Sequence, residues 1–311
     1  PGRNLTYFLD ISNTSDFSNI VYNGRDTFVN YTGSPGLVGG FSARKAYSSS
    51  ILRSITTNGS DFWIADANSK YVYHFNSTGD NVTGTPGLNG GFSARKAYSS
   101  IVSFLSITTN GSDFWAIDGT GAGQKYVFHI NAFGENVTGS PGIIGGVGTK
   151  VAYSNINPRT ITTNGSDFWV WDTASKYVYH FDANGNNITG TPGVVGGFGM
   201  SKATGPNENI GLGGITTNGS DFWVVNFDID FVYHINAFGD NVTGADGGFD
   251  IRRAYSGVYP NGLDTDSRLN PNAPKVPNDF WITDNNDDYA YHFKGAVNEQ
   301  GIQGNTTQHN T

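Results

Sequence analysis

Short apolar and aromatic runs alternate with polar turns along this chain, and the order of runs repeats. A clear unit contains Ile-Thr-Thr-Asn-Gly-Ser-Asp-Phe-Trp, then a polar turn, then Tyr-Val-Tyr-His-Phe or a close variant, then Asn-Val-Thr-Gly. β-Branched and aromatic runs of this kind are typical of strands. We therefore predict strands at 54–57, 62–66, 71–75 and 81–84 of the first clear unit, and at the matching positions of the others.

Five units follow from the tripeptide Asp-Phe-Trp, which starts at Asp61, Asp113, Asp167, Asp221 and Asp279. Asn-Gly pairs lie between the first two runs of four units, and Asn-Gly is a strong signal for a hairpin. Each unit is thus predicted to be an antiparallel meander of four strands. Repeats of this length and strand content are typical of β-propeller blades.

A sixth, degenerate unit is predicted at the N-terminus, because Asn30-Tyr31-Thr32-Gly33 matches Asn81-Val82-Thr83-Gly84. We therefore expect one all-β domain at 1–293, a six-bladed β-propeller whose four-stranded antiparallel blades are separated by Gly-rich inserts. The expected blades are approximately 1–36, 51–87, 103–142, 158–193, 212–247 and 260–293. The polar tail 294–311 is expected to close the ring, to add a strand to a neighbouring copy, or to be a simple polar end.

The runs Phe62-Trp63-Ile64-Ala65-Asp66 and Tyr71-Val72-Tyr73 resemble the second and third strands of six-bladed NHL-repeat-like propellers. The resemblance covers 1–293 at the level of pattern. It implies the propeller fold without a chemistry, since that superfamily ranges from binding platforms to hydrolases and lyases.

Charge and composition exclude several classes of function. The chain has 18 Lys and Arg against 26 Asp and Glu, a net charge of −8, and no Cys. A surface built to bind phosphates is therefore not expected, and neither is a nucleic-acid partner. No apolar run is long enough for a membrane helix. Thiol catalysis and Cys-based zinc sites are excluded.

One Trp and one His return in each unit, and we interpret them as a structural core. His residues on the third strand would lie roughly 15 Å from the axis, too far apart to share one ion. We expect the His side chains to be hydrogen-bonded between blades, and the Trp side chains to pack there. The set is Trp63, Trp115, Trp169, Trp223, Trp281, His74, His129, His180, His234 and His292.

Acidic residues close the second strands, and we interpret Asp66 and its equivalents as caps of the next turn. Calcium is the alternative, because Asp284, Asp287 and Asp288 place oxygen donors close together. No complete calcium-binding loop is present, and no other cofactor is expected.

Acceptor sites for N-linked sugars are frequent, and many are copies of two repeat positions. We predict a secreted, glycosylated protein at the cell surface. The candidates are Asn30, Asn58, Asn76, Asn81, Asn110, Asn136, Asn164, Asn187, Asn218 and Asn241.

The meander sorts charges to two ends of the propeller, with carboxylates at the Asn-Gly turns and basic residues in the inserts. Unlike ends permit head-to-tail stacking of copies, with apolar insert residues providing most of the affinity. The interface candidates are Phe41, Arg44, Lys45, Phe92, Arg95, Lys96, Lys150, Lys202, Arg252 and Arg253.

No nucleophile-elbow or zinc-protease motif is present, and the blades are closely alike. We therefore predict a non-enzymatic extracellular propeller that assembles with copies of itself into filaments or a surface layer. A multivalent carbohydrate-binding or adhesion module that contacts cell-surface glycans is the alternative. A metal-dependent hydrolase or lyase at the axial mouth is the third possibility.

Overall fold

The computed structural model describes residues 10–12, 20–23, 29–30, 40–46, 51–84, 91–97, 104–118, 126–138, 147–149, 157–190, 197–200, 211–242, 249–251, 259–265 and 279–294. None of the helices within these ranges is long and apolar enough to cross a membrane.

Strands dominate the described residues, and we number them in chain order. Four precede the blades: β1 (Asp10–Ser12), β2 (Ile20–Asn23), β3 (Val29–Asn30) and β4 (Gly40–Ser42). The blade strands are β5 (Leu52–Thr57), β6 (Phe62–Asp66), β7 (Tyr71–Phe75), β8 (Phe92–Ser93), β9 (Phe104–Thr109), β10 (Phe114–Asp118), β11 (Tyr126–Ile130), β12 (Val147–Gly148), β13 (Pro158–Thr163), β14 (Phe168–Asp172), β15 (Tyr177–Phe181), β16 (Phe198–Gly199), β17 (Leu212–Thr217), β18 (Phe222–Asn226), β19 (Phe231–Ile235), β20 (Phe249–Asp250), β21 (Pro260–Thr265), β22 (Asp279–Asp284) and β23 (Tyr289–Lys294). A 3-10 turn (Ala43–Lys45) follows β4, and one helical turn (Ala94–Ala97) follows β8.

Five antiparallel blades surround a common axis. Blade 1 runs from β5 to β8, and blades 2, 3 and 4 follow in the same order up to β20. Blade 5 contains β21, β22 and β23. The inner strands contact one another in the closed order β5, β9, β13, β17, β21 and back to β5. The chain is therefore a β-propeller with antiparallel blades, as the repeat predicts.

The predicted count of six blades is wrong. In the described residues β1 pairs with β2 in a separate two-stranded sheet, and β3 pairs with β23 of the last blade. Glycines allow a ring of five to close tightly, since a Cβ at Gly214 would lie 2.5 Å from the Leu263 nitrogen. A Cβ at Gly262 would lie 2.8 Å from Ser54 Cα. A strand-like pattern near the N-terminus does not reveal which sheet receives the strand.

The last blade is completed by the N-terminal segment. β4 pairs antiparallel with β23, with Phe41 opposite Ala290. Blade 5 thus obtains its outer strand from the start of the chain, a role that we had offered to the tail. Residues 295–311 lie outside the described residues.

The outer strands differ from the predicted positions. Residues 81–84 contribute only a bridge between Asn81 and Phe75, whereas Phe92 and Ser93 from the insert pair with β7. Phe92 is 2% exposed and packs in the core beside Phe114. One buried aromatic is therefore enough to anchor a Gly-rich segment that we had expected to lie outside the core.

Outer-strand phenylalanines join four of the five blades to the next one. Phe41 contacts Phe62 and Phe75 of blade 1, with ring centroids 5.4 and 4.9 Å apart. Both Phe41 and Phe92 are buried, so neither side chain offers exposed apolar surface to the interface between copies that we had expected there. Their surface is already used between blades.

The basic interface candidates also form contacts within the chain. Arg44 Nε lies 2.9 Å from Asp288 Oδ2, and Lys45 Nζ lies 3.4 Å from Asp80 Oδ1, although both basic side chains remain exposed. The outer strand of blade 5 packs against blade 1, so Lys45 meets a carboxylate in the turn that follows the third strand of blade 1. Arg95 is exposed. Lys150, Lys202, Arg252, Arg253 and the side chain of Lys96 lie outside the described residues.

Candidate functional site at the axial mouth

The repeated Trp and His residues form a stacked pair within each blade. Trp63 and His74 are register partners on β6 and β7, and their rings stack at 4.6 Å and 13°. His74 Nε2 lies 2.8 Å from Asp61 Oδ2 in the inner hairpin turn of the same blade. We had expected this imidazole to be hydrogen-bonded between blades, and that expectation is wrong for His74 and for the three histidines named next. The same arrangement joins Trp115, His129 and Asp113; Trp169, His180 and Asp167; and Trp223, His234 and Asp221.

Blade 5 keeps the ring pair, with Trp281 and His292 stacked at 4.2 Å. In blade 1, burial lowers the pKa of His74, and the Asp61 carboxylate opposes this effect. Because a carboxylate only accepts, the Nε2–H group of the neutral imidazole is the donor of the hydrogen bond to Asp61. In the described blades these Trp, His and Asp side chains therefore have a structural role, because the indole and imidazole are buried and the carboxylate is already hydrogen-bonded.

The acidic residues that close the second strands accept backbone protons. Asp66 accepts from the Ile51 and Asn68 nitrogens at 2.8 and 2.9 Å, and from the Ser69 hydroxyl at 2.6 Å. Asp172 makes the equivalent bonds in blade 3. These carboxylates cap the turn and hold the start of the inner strand.

The calcium candidates do not converge on one point. Asp284 accepts from the Tyr259 and Asn286 nitrogens, Asp287 accepts from the Tyr291 hydroxyl, and Asp288 pairs with Arg44. Burial raises the pKa of Asp287. Within the described residues, no three metal-ligating side chains come together.

The glycosylation candidates fall into two structural groups. Asn58, Asn110, Asn164 and Asn218 begin the inner hairpin turns, where Asn58 Oδ1 accepts from the Ser60 and Asp61 nitrogens. Asn81, Asn136, Asn187 and Asn241 are exposed at the outer bridges. Asn76 is half-buried, and the side chain of Asn30 lies outside the described residues.

The repeat is broken at the second residue of the inner strands. We call this position the axial mouth, and it contains Arg53, Leu105, Arg159, Gly213 and Asn261. In every blade the register between inner and second strand shifts around this residue. Such bulges redirect a side chain and are frequent beside functional sites.

Side chains from four blades converge at this mouth. Arg159 Cζ lies 4.9 Å from the ring centroid of Phe227. Burial lowers the pKa of Arg159, the charge of Arg53 lowers it further, and Tyr259 and Asp228 raise it. The Phe227 and Tyr259 rings are 5.4 Å apart. Two guanidinium groups thus share one region with two aromatic rings and one carboxylate.

The mouth contains hydrogen-bond donors without an acceptor among the described residues. They are Nε of Arg53 and Nδ2 of Asn261, and Asn261 is 2% exposed. Asp228 accepts from the Gly211 nitrogen at 2.7 Å, so part of its capacity is already used. Buried unpaired donors are costly. Such donors favour a bound acceptor, and the neighbouring guanidinium groups favour an anionic one.

A layer of hydroxyl groups lies one step deeper along the inner strands. Ser106 Oγ lies 3.3 Å from both Ser54 Oγ and Thr160 Oγ1. In blades 4 and 5 the equivalent residues are Gly214 and Gly262, where the strands approach closely. The inner strands are therefore bonded to each other beneath the mouth.

This site was not predicted from the sequence, because the repeated units are alike at most other positions of the blades. The signal is present when the inner strands are aligned, since the second residue varies while Ile-Thr-Thr recurs in four of them. What the alignment does not give is the convergence of Arg53 and Arg159 with Asp228 and Tyr259, which depends on ring closure.

No protein-family model matches the chain, and no curated protein matches it. Solved structures do match. A glutaminyl cyclase from Myxococcus xanthus superimposes with a TM-score of 0.53 and 10% identity over 81% of this chain and 93% of that chain. A virginiamycin B lyase from Staphylococcus aureus gives 0.45 and 13% over 82% and 98%. A streptogramin B lyase gives 0.41 and 13% over 79% and 70%. At these identities the likeness concerns the fold alone.

Proposed function

We propose that this chain is a non-enzymatic binding protein that holds an anionic group of its ligand at the axial mouth. The observation that carries the proposal is the pair Arg53 and Arg159, which two different blades bring together, with the unpaired amide donor of Asn261 at the equivalent position of blade 5. Two like charges in a partly buried site repel each other, and a bound anion relieves that repulsion. Guanidinium groups match carboxylates and oxyanions through paired hydrogen bonds.

Exposed apolar side chains support a ligand with an apolar body. Ile51 precedes β5, Tyr259 precedes β21, and Ile229 lies in the turn after β18, so all three are at the end of the blades that contains the mouth. A carboxylate attached to a ring or an alkyl group would place its charge between the arginines and its body against these residues.

Thermal unfolding in the presence of acetate, benzoate or sulfate tests the proposal, with sodium chloride keeping the ionic strength constant. We expect the anions to raise the Tm of the wild-type chain, benzoate more than acetate, since bound ligand stabilises the folded state by mass action. The variants Arg53→Leu and Arg159→Leu introduce the residue that blade 2 has at this position. Both should lose the shift.

Arg95→Leu is the matched control, because Arg95 is exposed on the turn after β8 and should leave the shift unchanged. Equal anion effects on the wild-type chain and on both mouth variants would contradict the proposal. So would the absence of any anion effect on the wild-type chain.

Self-association at the cell surface is a second candidate. What supports it is the β1–β2 sheet, which has only two strands and lies outside the five blades in the described residues. Isolated two-stranded sheets are marginally stable, and a third strand from another copy would stabilise this one. Electron microscopy of the full chain and of a variant without residues 1–23 tests this idea. Identical assembly of the two chains would oppose it.

The relation to NHL-repeat-like propellers also stands as a proposal. It is supported by the second strand Phe62–Asp66, which ends in a turn-capping carboxylate, and by the Tyr- and Val-rich strand Tyr71–Phe75. Multivalent carbohydrate binding through equivalent inserts has less support, because Phe41 and Phe92 are buried.

A further inference from the structure

Two phenylalanines are far more exposed than any other aromatic side chain in the described residues. Phe133 is 78% exposed and Phe238 is 79% exposed. Each is the third residue of the turn that follows the third strand, in blades 2 and 4. The same position is Thr78 in blade 1 and Asn184 in blade 3. An aromatic residue in a turn that accepts polar residues elsewhere needs a separate explanation.

The turn presents the aromatic residue on a fixed backbone. Asn131 Oδ1 accepts from the nitrogens of Phe133 and Glu135, at 3.0 and 2.9 Å. The Asn131 nitrogen donates to the Glu135 carbonyl. Asn236 makes the corresponding side-chain bonds to the Phe238 and Asp240 nitrogens in blade 4. Phe133 and Phe238 therefore lie on equivalent, well-bonded turns.

Each phenylalanine precedes an exposed sugar-acceptor asparagine by three residues. Asn136 and Asn241 begin Asn-Val-Thr, and each forms the bridge that ends the turn. Three residues span at most about 11 Å between Cα atoms, and the chain reverses direction in this interval. The first sugar of an N-linked glycan on Asn136 is thus within reach of Phe133.

Structural needs explain the Asn-Val-Thr sequence without explaining the aromatic residue. The Thr138 hydroxyl accepts from the His129 nitrogen at 2.9 Å, and Thr83 and Thr189 do the same for His74 and His180. These bonds are present in blades 1 and 3 as well, where no phenylalanine precedes the acceptor.

Sugar chemistry supplies a partner for the ring. One face of a pyranose presents C–H groups, which pack on the electron-rich face of an aromatic ring and remove apolar surface from water. We propose that Asn136 and Asn241 are N-glycosylated and that their first sugars pack on Phe133 and Phe238. Asn81 and Asn187 lack this platform and serve as internal references.

The test uses the full chain made in a host that glycosylates Asn-x-Thr. Glycopeptide mass spectrometry measures occupancy at the four outer acceptors. Thermal unfolding then compares Asn136→Gln in the wild-type and Phe133→Ala backgrounds. We expect glycan at Asn136 and Asn241, and a loss of about 2 °C in Tm for Asn136→Gln. In the Phe133→Ala background the loss should be less than half as large.

Two controls isolate the sugar. The double-mutant cycle of Asn187→Gln with Asn184→Ala should show no such coupling, because Asn184 offers no ring and its replacement changes no acceptor sequence. The double-mutant cycle of Asn136→Gln and Phe133→Ala should also show no coupling when the protein comes from a bacterial host without N-glycosylation. The proposal is overturned if Asn136 and Asn241 are unmodified, or if the Asn136→Gln loss is the same with and without Phe133. Neither result bears on anion binding at the axial mouth.

Discussion

Asp264 on the inner strand of blade 5 accepts a hydrogen bond from the Thr216 hydroxyl of blade 4, with 2.7 Å between Oδ1 and Oγ1. Its Oδ2 accepts from the Thr57 nitrogen of blade 1 at 2.9 Å. Asp264 occupies the position at which the other inner strands have Thr, and it is buried. A single carboxylate thus joins three blades at the point where the last blade meets the first.

Asp264→Ala should therefore destabilise the ring. The variant leaves the buried Thr57 nitrogen without its acceptor and removes the bond to Thr216, and hydrogen bonds to charged groups contribute about 1.5–3 kcal/mol each. We expect the free energy of unfolding in urea to fall by about 3 kcal/mol or more. Asp264→Asn keeps one acceptor oxygen and should lose less. Equal stability of both variants and the wild-type chain would contradict this role.

Acidification should weaken the fold through His74. Burial lowers the pKa of this imidazole in the folded chain below its unfolded value of 6.5. The unfolded state then binds more protons, so this contribution to stability is complete above about pH 6.5 and is lost as the pH falls below it. Urea titrations between pH 7.5 and 5.5 should show a decreasing free energy of unfolding. His74→Gln, which cannot titrate, should flatten the profile, and equal slopes for both chains would exclude His74 as a source.

The sequence predicted the features that recur and missed those that depend on closure of the ring. Trp63 and His74 could be assigned to the core because their positions repeat, and the strand runs placed β6 and β7 correctly. The partner of His74 was missed, since periodicity does not show that Asp61 reaches back across its own blade. The joining of β4 to β23 and the meeting of Arg53 with Arg159 require contacts between distant parts of the chain. No local pattern encodes them.

Phe92→Ala tests the corrected position of the outer strand. Phe92 is buried between blades beside Phe114, so its truncation should cost about 3–5 kcal/mol in the free energy of unfolding. Phe133→Ala in chain from a host without N-glycosylation is the control, because that ring is exposed, and its effect should stay within about 0.5 kcal/mol. Similar losses for both variants in chemical denaturation would indicate that the insert does not contribute to the core.

Gly79→Ala tests the contact that joins blade 5 to blade 1. Gly79 has φ 73°, and a Cβ there would lie 2.3 Å from Phe41 Cβ. Gly59 has φ 95° with no atom within 4 Å of the same added Cβ, so it serves as the matched control. Both substitutions should destabilise the folded chain by about 1–2 kcal/mol, because alanine is unfavourable at positive φ.

Only Gly79→Ala should add the cost of overpacking, about 1–3 kcal/mol, because Phe41 must move away from Phe62 and Phe75. We therefore expect a larger decrease in Tm for Gly79→Ala than for Gly59→Ala. Phe41→Ala should remove most of that difference, since the crowded side chain is then absent. If Gly79→Ala and Gly59→Ala unfold at the same temperature, the outer strand of blade 5 does not press on the turn of blade 1.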